Sequence, residues 1–332
     1  FPSEKFHVPE EVMMACQKRV IALRKIYDKW REKFADFKKT EPEKAKLFDT
    51  CVNKEVPDDL EEKLLEGGFP DKPAATRNLG GTVIQRAAAA VPSLVGGSAD
   101  LDPSTKTAIK DTTSVAAGDF KGRLLHFGVR EHGMGGLLNG MAMYGGFIPY
   151  GSTFLVFSDY MRPSVRLAAI TGSQVIYVFT HDSIFVGEDG PTHQPVEQVA
   201  ALRVIPNLVV FRPCDGVETA HAWAYALRHD GPSAMILTRQ KVEPVHTGPK
   251  SLKKADFARG AYVLREAKNA CCTLLASGSE VTLALEAAEL LKEEGCTVRV
   301  VSMPSMELFR KQSAAEREKV LPKGSKIVAI DA

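Results

Sequence analysis

Residues 175–198 read VIYVFTHDSIFVGEDGPTHQPVEQ, which is an apolar run followed by a long polar loop that ends in a proline. The run 175–180 has the length and the β-branched and aromatic composition of a buried strand. The loop contains two histidines, three carboxylates, two glycines and two prolines. Loops this long in a compact domain usually bind something, and Pro195 suits the first turn of a following helix. The stretch therefore predicts a strand, a functional loop and a helix.

Apolar strands and helices alternate on both sides of this stretch. The alternation predicts an α/β fold with a parallel sheet that is covered by helices on both faces. Ligands of such sheets gather beyond the carboxyl ends of the strands. The predicted strands are 93–95, 123–127, 147–150, 175–180, 208–211 and 234–237, and the predicted helices are 77–90, 132–144, 159–170, 196–204 and 217–227.

Composition divides the chain into four segments. Residues 1–70 are charged and carry apolar side chains every three or four positions, which predicts helices that dock on a core. Residues 71–240 form the main α/β domain, and the polar residues 241–258 are predicted to be a linker. Residues 259–332 begin a second α/β domain that looks truncated, so we expect the chain to be part of a longer one.

Bulk composition argues against two classes of partner. Of 332 residues, 43 are Lys or Arg and 41 are Asp or Glu, without a long basic run, which disfavours nucleic-acid binding. No apolar stretch reaches the ~18 residues of a membrane span. Six scattered cysteines, none in a C-x-x-C pair, fit a reducing compartment. Together with the lack of a signal-peptide pattern, this predicts a protein of the cytoplasm, or alternatively of an organelle, with Cys271 and Cys272 in the core.

A second cluster, FGVREHGMGG at 127–136, lies at a predicted strand-to-helix junction. Glu131 would occupy the first helical turn, where the helix dipole stabilises a carboxylate. Its neighbours Phe127, Val129, Met134 and Leu137 are apolar, and a carboxyl group in apolar surroundings keeps its proton more readily. Glu131 is therefore either a helix-terminal carboxylate or a proton donor near neutral pH.

Other residues are candidates for contacts with a flat or anionic ligand. Phe154, Phe157 and Tyr160 are spaced three residues apart. Aromatic side chains with this spacing more often belong to the hydrophobic core than to a binding site. Here they follow the end of a predicted strand, so they could also face a planar ligand. Arg77 and Arg239 lie at element ends, where they could hold a phosphate bidentately.

The glycine-rich and histidine-rich stretches leave further readings open. Paired glycines at 96–97 let the backbone approach a ligand, although the sequence has no P-loop, no G-x-G-x-x-G after a strand and no G-x-S-x-G. His181 could share a phosphate with the two arginines. A metal site formed by His181, Asp189 and His193 is conceivable, but the spacing matches no recognised ligand pattern.

Five stretches together resemble the transketolase family: 96–101, 128–133, 152–157, 180–198 and 212–215. The resemblance covers the whole chain. It implies that residues 1–70 are a helical linker after the family's first domain, that 71–240 are the pyrimidine-binding domain for thiamine diphosphate, and that 259–332 open the C-terminal domain. Transketolases transfer a two-carbon ketol unit between sugar phosphates of the pentose phosphate pathway with thiamine diphosphate and a divalent metal, Mg²⁺ or Ca²⁺.

The resemblance also implies roles for individual residues. Glu131 would hydrogen-bond the aminopyrimidine ring of the cofactor. The residues implied in catalysis are Glu131, His181 and His193. Those implied around the cofactor are Asp100, Leu101, Glu131, Phe154, Phe157 and Tyr160. Those implied in substrate binding are Arg77, Ser104, His181, Asp189, His193 and Arg239.

The chain departs from the family pattern in two places. The stretch DPST at 102–105 stands where the family has P-S-N, which bears on Ser104. The G-D-G…N motif that binds the diphosphate and the metal is missing, so we expect those ligands on a domain outside this chain and assign no metal ligand within it. We therefore predict that these 332 residues alone do not catalyse the reaction.

The resemblance implies a homodimer whose active sites lie between subunits, with the helix 132–144 near the interface. Alternatives stay open at this point. The chain could belong to a related thiamine enzyme, such as dihydroxyacetone synthase, deoxyxylulose-phosphate synthase or a 2-oxoacid dehydrogenase subunit. It could also be a non-catalytic or split subunit that needs a partner chain.

Overall fold

The computed structural model describes residues 5–247 and 251–331, and the chain divides into two compact units between Asn53 and Lys54. The first unit is a pair of helices, α1 (Glu10–Thr40) and α2 (Pro42–Val52). None of the helices in the described ranges combines the length and the apolar character that a membrane crossing needs.

Aromatic packing holds the two helices of the first unit together. Phe34 of α1 meets Phe48 of α2 edge to face, with ring centroids 5.2 Å apart, and Lys38 Nζ lies 2.8 Å from Asp49 Oδ2. Other apolar side chains of α1, including Val20 and Tyr27, are exposed. The predicted helices are therefore present, and within this unit most of the apolar side chains of α1 are exposed.

The second unit contains a six-stranded parallel sheet with the order β2-β1-β3-β4-β6-β5. Its strands are β1 (Leu94–Ser98), β2 (Leu124–His126), β3 (Ile148–Phe154), β4 (Ile176–Thr180), β5 (Val209–Phe211) and β6 (Ser233–Leu237). Its helices are α3 (Leu60–Leu65), α4 (Thr76–Ala90), α5 (Asp102–Thr105), α6 (Glu131–Tyr144), α7 (Ser158–Thr171), α8 (Gln198–Arg203) and α9 (Gly216–Arg228). The predicted α/β fold with a parallel sheet is confirmed.

Helices cover both faces of this sheet and bury two apolar cores. Helices α4 and α9 pack on one face, where Tyr150 meets Trp223 with ring centroids 6.3 Å apart. Helices α6 and α7 pack on the other face. Helix α6 lies directly on β3 at Gly151, because a Cβ there would come within 2.4 Å of Leu138 Cδ1. This close packing fixes the start of α6, and therefore Glu131, beside the end of β3.

A second sheet in the same unit has the order β10-β8-β9-β7. Its strands are β7 (Tyr262–Arg265), β8 (Cys272–Ala276), β9 (Val298–Ser302) and β10 (Ile327–Ile330), and the helices around it are α10 (Lys254–Phe257), α11 (Glu280–Glu293), α12 (Met306–Arg310) and α13 (Ala314–Val320). Strand β7 runs antiparallel to β9, and the other pairs are parallel. Strand β7 was not predicted; it is short and lies directly after the predicted linker.

The structure adds packing detail to two further predictions. Cys271 is exposed and Cys272 is only half-buried, so the expectation that both lie in the core is wrong. Cys271 stands just before β8, and its amide donates to Thr297 O at 2.8 Å. Within the predicted linker, Val242 forms a bridge to Ala74, and His246 is buried. The described part of 241–258 is thus packed against its neighbours.

Candidate active site

The carboxyl ends of β1, β3, β4 and β6 meet at one edge of the large sheet, where the predicted site residues collect. His181 follows β4 directly and has a left-handed backbone with a φ of +63°. This conformation is uncommon for a residue with a side chain and persists only where surrounding contacts enforce it. His181 is 2% exposed.

Three neighbours fix the imidazole of His181. Phe154 stacks on it with ring centroids 3.7 Å apart. Arg77 Nη1 lies 3.4 Å from Nε2, and Thr180 Oγ1 lies 2.8 Å from Nδ1. Because a guanidinium only donates, Nε2 accepts and Nδ1 carries the proton that is donated to Thr180. Burial, followed by the positive charge of Arg77, lowers the pKa of His181 to about 4, so the ring is neutral at pH 7.

Charged residues surround His181 on the solvent side. Asp189 Oδ2 lies 3.7 Å from His181 Nε2 and 3.5 Å from Arg239 Nε, and Arg239 also pairs with Glu188. Arg77 donates to the backbone oxygen of Ser104 at 2.8 Å. Its Nε is buried and has no hydrogen-bond partner within the described part of the chain. Burial, and then the nearby Arg239, lowers the pKa of Arg77.

This arrangement leaves one donor of Arg77 unused, because its buried Nε has no partner within the described part of the chain, although Arg239 pairs with Glu188 and Asp189. Arg239 lies close enough to Arg77 to disfavour the positive charge of Arg77, and an anion bound between them would relieve that repulsion. The structure therefore brings together Arg77, His181, Asp189 and Arg239 as the sequence predicts, and it places Ser104 beside Arg77 through its carbonyl group rather than its hydroxyl.

Aromatic rings line the cluster on the side of β3. The rings of Phe154 and Phe157 stack with centroids 5.7 Å apart, and His193 meets both rings edge on, at 5.9 and 5.3 Å. Tyr160 tilts against Phe157 at 6.1 Å and is 66% exposed. The predicted stripe is thus partly core, at Phe154, and partly a surface that a planar group could cover.

Glu131 lies next to this aromatic surface at the first residue of α6. It is buried, and its Oε1 accepts a hydrogen bond from Thr153 Oγ1 at 3.3 Å. Phe127 and Met134 are buried, whereas Val129 and Leu137 are exposed. The expectation of an apolar environment on all sides is therefore wrong for two of the four neighbours, because the start of α6 turns one side toward solvent.

Two predicted cofactor residues do not join the cluster. Asp100 is exposed in a left-handed conformation after β1, and the Leu101 amide donates to Ser98 Oγ at 2.9 Å. Within the described ranges, neither side chain forms a hydrogen bond with the histidine cluster. Their contacts with a cofactor stay a prediction.

Metal-binding geometry occurs elsewhere in the described ranges. The His, Cys, Asp and Glu side chains whose ligand atoms lie within 4.8 Å of one another are Cys214, Asp215 and His246. Among the described residues, the ligand atoms of His181, Asp189 and His193 do not form a group this close together. Asp215 already serves another purpose, because its Oδ1 accepts from the Glu218 amide and caps α9 at 3.0 Å.

Sequence reasoning missed a buried group centred on Arg212. Its guanidinium contacts Asp182, the residue after His181, with 3.0 Å between Nη2 and Oδ2, and Glu280 Oε2 at 2.7 Å. It also pairs with Asp331. Residues 212–215 contributed only to the family resemblance, and no role was predicted for Arg212 itself. The signal that could have found Arg212 is its place directly after a predicted strand, at the same sheet edge as the site.

Family models match three parts of the chain. Residues 72–244 match the transketolase pyrimidine binding domain, residues 260–332 match the transketolase-like C-terminal domain, and residues 1–57 match the transketolase thiamine diphosphate binding domain. The last match covers much of the stretch that the sequence analysis treats as a linker after that domain.

Individual transketolases resemble the chain closely. Transketolase 2 of Aliivibrio fischeri is 45% identical over 334 residues, which is 98% of this chain and 50% of that protein. Transketolase from Leishmania mexicana superposes with a TM-score of 0.92 at 41% identity, covering 100% of this chain and 49% of that one. Pichia stipitis transketolase in complex with sedoheptulose 7-phosphate has a TM-score of 0.91 at 37% identity, covering 99% and 49%. The chain spans about half the length of these relatives.

A chain of more similar extent also matches. It is a split-gene transketolase in the form of an inactive β4 tetramer, with a TM-score of 0.61 and 28% identity. The match covers 78% of this chain and 89% of that one.

Proposed function

The chain belongs to the transketolase family, and we propose that it supplies the pyrimidine side of an active site that transfers a two-carbon ketol unit from a ketose phosphate to an aldose phosphate. The observation that supports this best is the cluster of Arg77, His181 and Arg239 beside the aromatic surface and Glu131. It combines an anion site with a planar site at the ligand-binding edge of the sheet.

The arginines and His181 would hold the sugar phosphate. Arg77 and Arg239 present donors that a phosphate can accept from in pairs. The transketolase from Pichia stipitis has been crystallised with sedoheptulose 7-phosphate, a ketose phosphate. With Nδ1 protonated, His181 Nε2 is an acceptor, so His181 would serve phosphate binding by orienting Arg77. Ser104 would contribute through the loop that Arg77 already holds.

Glu131 and the rings of Phe154, Phe157 and Tyr160 would hold the aminopyrimidine of thiamine diphosphate, and Asp100 and Leu101 would lie near it. When bound, thiamine diphosphate supplies the electron sink that carbanion chemistry at a carbonyl needs. Glu131 would hydrogen-bond the pyrimidine ring through its buried carboxyl group. Mg²⁺ or Ca²⁺ and the diphosphate would be held mainly by residues outside this chain.

His193 and Asp189 would act on the sugar hydroxyls near the reacting carbons. His193 Nδ1 bonds to Thr192 Oγ1 at 2.9 Å, which leaves Nε2 available for a substrate hydroxyl. Asp189 lies within reach of both His181 and Arg239, so it can accept from a hydroxyl without losing its cationic neighbours. Groups positioned in this way transfer protons in the transition state. Each such group commonly raises the reaction rate by about 10²–10⁴-fold.

Activity is proposed to require a second, diphosphate-binding segment, which could lie in the same polypeptide or in a partner chain. The inactive β4 tetramer of the split-gene transketolase supports this, since its chain covers most of the same region. The test adds xylulose 5-phosphate, an aldose phosphate, thiamine diphosphate and Mg²⁺ to the purified 332-residue polypeptide. No turnover is expected until the second segment is supplied, and turnover by the polypeptide alone would contradict the proposal.

Assembly and location are proposed from the family and from exposed surface. The apolar residues Leu137 and Met143 of α6 are exposed, which fits pairing of two copies near this helix. The scattered cysteines fit the cytoplasm, and ketol transfer would place the enzyme in the pentose phosphate pathway. Sedimentation should show a dimer, and Leu137→Asp should weaken it.

The function is tested in the active enzyme that carries these residues. Ketol transfer from xylulose 5-phosphate is expected, and pyruvate is not expected to serve as a donor, as it would for deoxyxylulose-phosphate synthase or a 2-oxoacid dehydrogenase. Comparison of aldose phosphates with other acceptors would separate dihydroxyacetone synthase. Arg239→Leu should raise KM for the ketose phosphate, whereas Arg265→Leu, which breaks a surface pair with Glu289, should not.

A further inference from the structure

The buried group around Arg212 joins the candidate site to the second sheet. Arg212 follows β5 and is 0% exposed. One nitrogen of its guanidinium, Nη2, contacts Asp182 at 3.0 Å and Glu280 at 2.7 Å, and the other, Nη1, contacts Asp331 and Ser277 Oγ, the latter at 3.2 Å. One side chain thus reaches the loop after β4, the start of α11 and the residue after β10.

The backbone around Arg212 is shaped to hold it. Its amide donates to Pro304 O at 2.9 Å, and its carbonyl accepts from the Gly278 amide at 2.9 Å. Gly278 has a φ of +57°, and a Cβ there would lie 3.1 Å from the guanidinium carbon. The second sheet therefore provides a pocket that fits a planar guanidinium and has no spare room.

Asp182 is the link between this pocket and His181. It is buried, and its two oxygens accept from Arg212 and, at 3.3 Å, from Gln240 Nε2. A residue in the left-handed region stays there only when its neighbours in sequence are fixed. His181 is held on its other side by Thr180 at the end of β4, so Asp182 is the second anchor.

A guanidinium is needed for this arrangement, because it must face carboxylates in several directions at once. Arg presents five donors in one plane, whereas Lys presents a compact charge on a flexible stem. Asp182 is held by Nη2 of Arg212 on one side and by the amide of Gln240 on the other, while Nη1 of the same plane faces Asp331, which specifies direction as well as charge. An Arg-to-Lys change would therefore keep the charge and lose the direction.

We propose that Arg212 is a positioning residue for phosphate recognition: through Asp182 it fixes His181 in the left-handed conformation in which the imidazole meets Arg77. The proposal rests on the proposed function for its kinetic consequence, but the positioning itself can be measured separately. It makes the second sheet a contributor to a site that lies on the first.

The test uses Asp182→Asn and Arg212→Lys in the active enzyme labelled with ¹⁵N-histidine. Since Arg77 donates to Nε2, the native protein should show His181 as the Nδ1–H tautomer, which is assigned by comparison with His181→Asn. Both variants are expected to shift the His181 signals toward the Nε2–H tautomer. KM for xylulose 5-phosphate should rise about tenfold, with less than about a threefold change for unphosphorylated xylulose, as one loosened charge-assisted contact would give.

Arg299→Lys is the matched control, because Arg299 makes a bidentate pair with Glu266 on the second sheet, at 2.8 Å for each contact. It should change neither readout. Unchanged His181 signals in both variants would overturn the proposal, as would equal losses with xylulose and xylulose 5-phosphate. If His181→Asn leaves the ratio of the two substrates unchanged, the phosphate role in the proposed function fails, and the nitrogen signals still decide the positioning.

Discussion

The His181 cluster and the Glu218 network are two polar groups of one compact unit, and they are built in opposite ways. In the His181 cluster, buried Arg77 Nε lacks a partner within the described ranges, and Arg239 pairs with the exposed Glu188 and with Asp189. In the Glu218 network, one carboxylate accepts from Tyr262 and Ser302 at 2.6 Å each and from the Cys214 amide at 2.7 Å.

The difference shows where the molecule is ready for a ligand. Every contact of Glu218 is internal, and the network ties α9 to β7 and β9 of the second sheet. Satisfied buried polar groups specify one arrangement of their neighbours. A buried donor without a partner, beside a planar surface, instead costs stability and marks a site that a ligand would complete. Changes in the first group should therefore alter activity, and changes in the second should alter stability.

The largest effect is expected from Glu131→Gln. The amide cannot share a proton as the carboxyl group would, so kcat should fall by about 10²–10⁴-fold, while thermal unfolding should change little. Steady-state kinetics and calorimetry check this. Glu266→Gln, at an exposed pair with Arg299, is the control. Normal turnover in Glu131→Gln would remove Glu131 from the proposed mechanism.

Glu218→Ala should produce the reverse pattern. It leaves the Ser302 hydroxyl and the Cys214 amide without this acceptor in a buried space, whereas Tyr262 still has His246 Nε2 at 2.9 Å, and about 1–3 kcal/mol is expected for each donor that stays unsatisfied. Urea unfolding of this unit should shift to lower denaturant concentration, and Glu218→Gln should shift less because it keeps one acceptor oxygen. Equal midpoints for native protein and Glu218→Ala would mean that the network does not hold the two sheets together.

Acid should destabilise the protein through His181. The folded state lowers the pKa of His181 to about 4 from 6.5, so the unfolded chain binds a proton more readily between these values. Stability from this residue is therefore present above pH 6.5 and is lost as the pH falls to 4, by on the order of 3 kcal/mol. The free energy of unfolding of the native protein and of His181→Asn should be measured at several pH values. The difference between the two isolates the contribution of His181 from that of the other histidines. A difference that does not vary with pH would contradict it.

A smaller effect is expected from Arg239→Leu. Arg239 is partly exposed, so its loss should raise KM for the ketose phosphate by about tenfold, with little change in unfolding temperature. Arg239→Lys should recover part of the binding, because it restores charge without the fork. A large fall in stability would instead show that Arg239 has a structural role like that of the Glu218 network.

Local pattern accounts for most of the large sheet. The strand at 175–180 and its functional loop are predicted from composition and order, because a buried parallel strand needs an apolar run and a long loop needs glycine and proline. The predictions for Cys271 and for two of the four neighbours of Glu131, Val129 and Leu137, are wrong, since sequence neighbours indicate polarity but not the direction in which a side chain points.

By itself, the sequence determined the order of strands, loops and helices, the resemblance to transketolases and the residue types collected at the carboxyl edge of the sheet. Only the tertiary structure decided that Arg77 meets His181 across 104 positions of sequence, that Nδ1 of His181 keeps the proton, and that Arg212 reaches Asp182, Glu280 and Asp331 at once. The physical reason is that periodicity and turn chemistry act between near neighbours in sequence. Tautomers, ion pairs and buried networks depend on which distant side chains the packed sheets bring within hydrogen-bond distance.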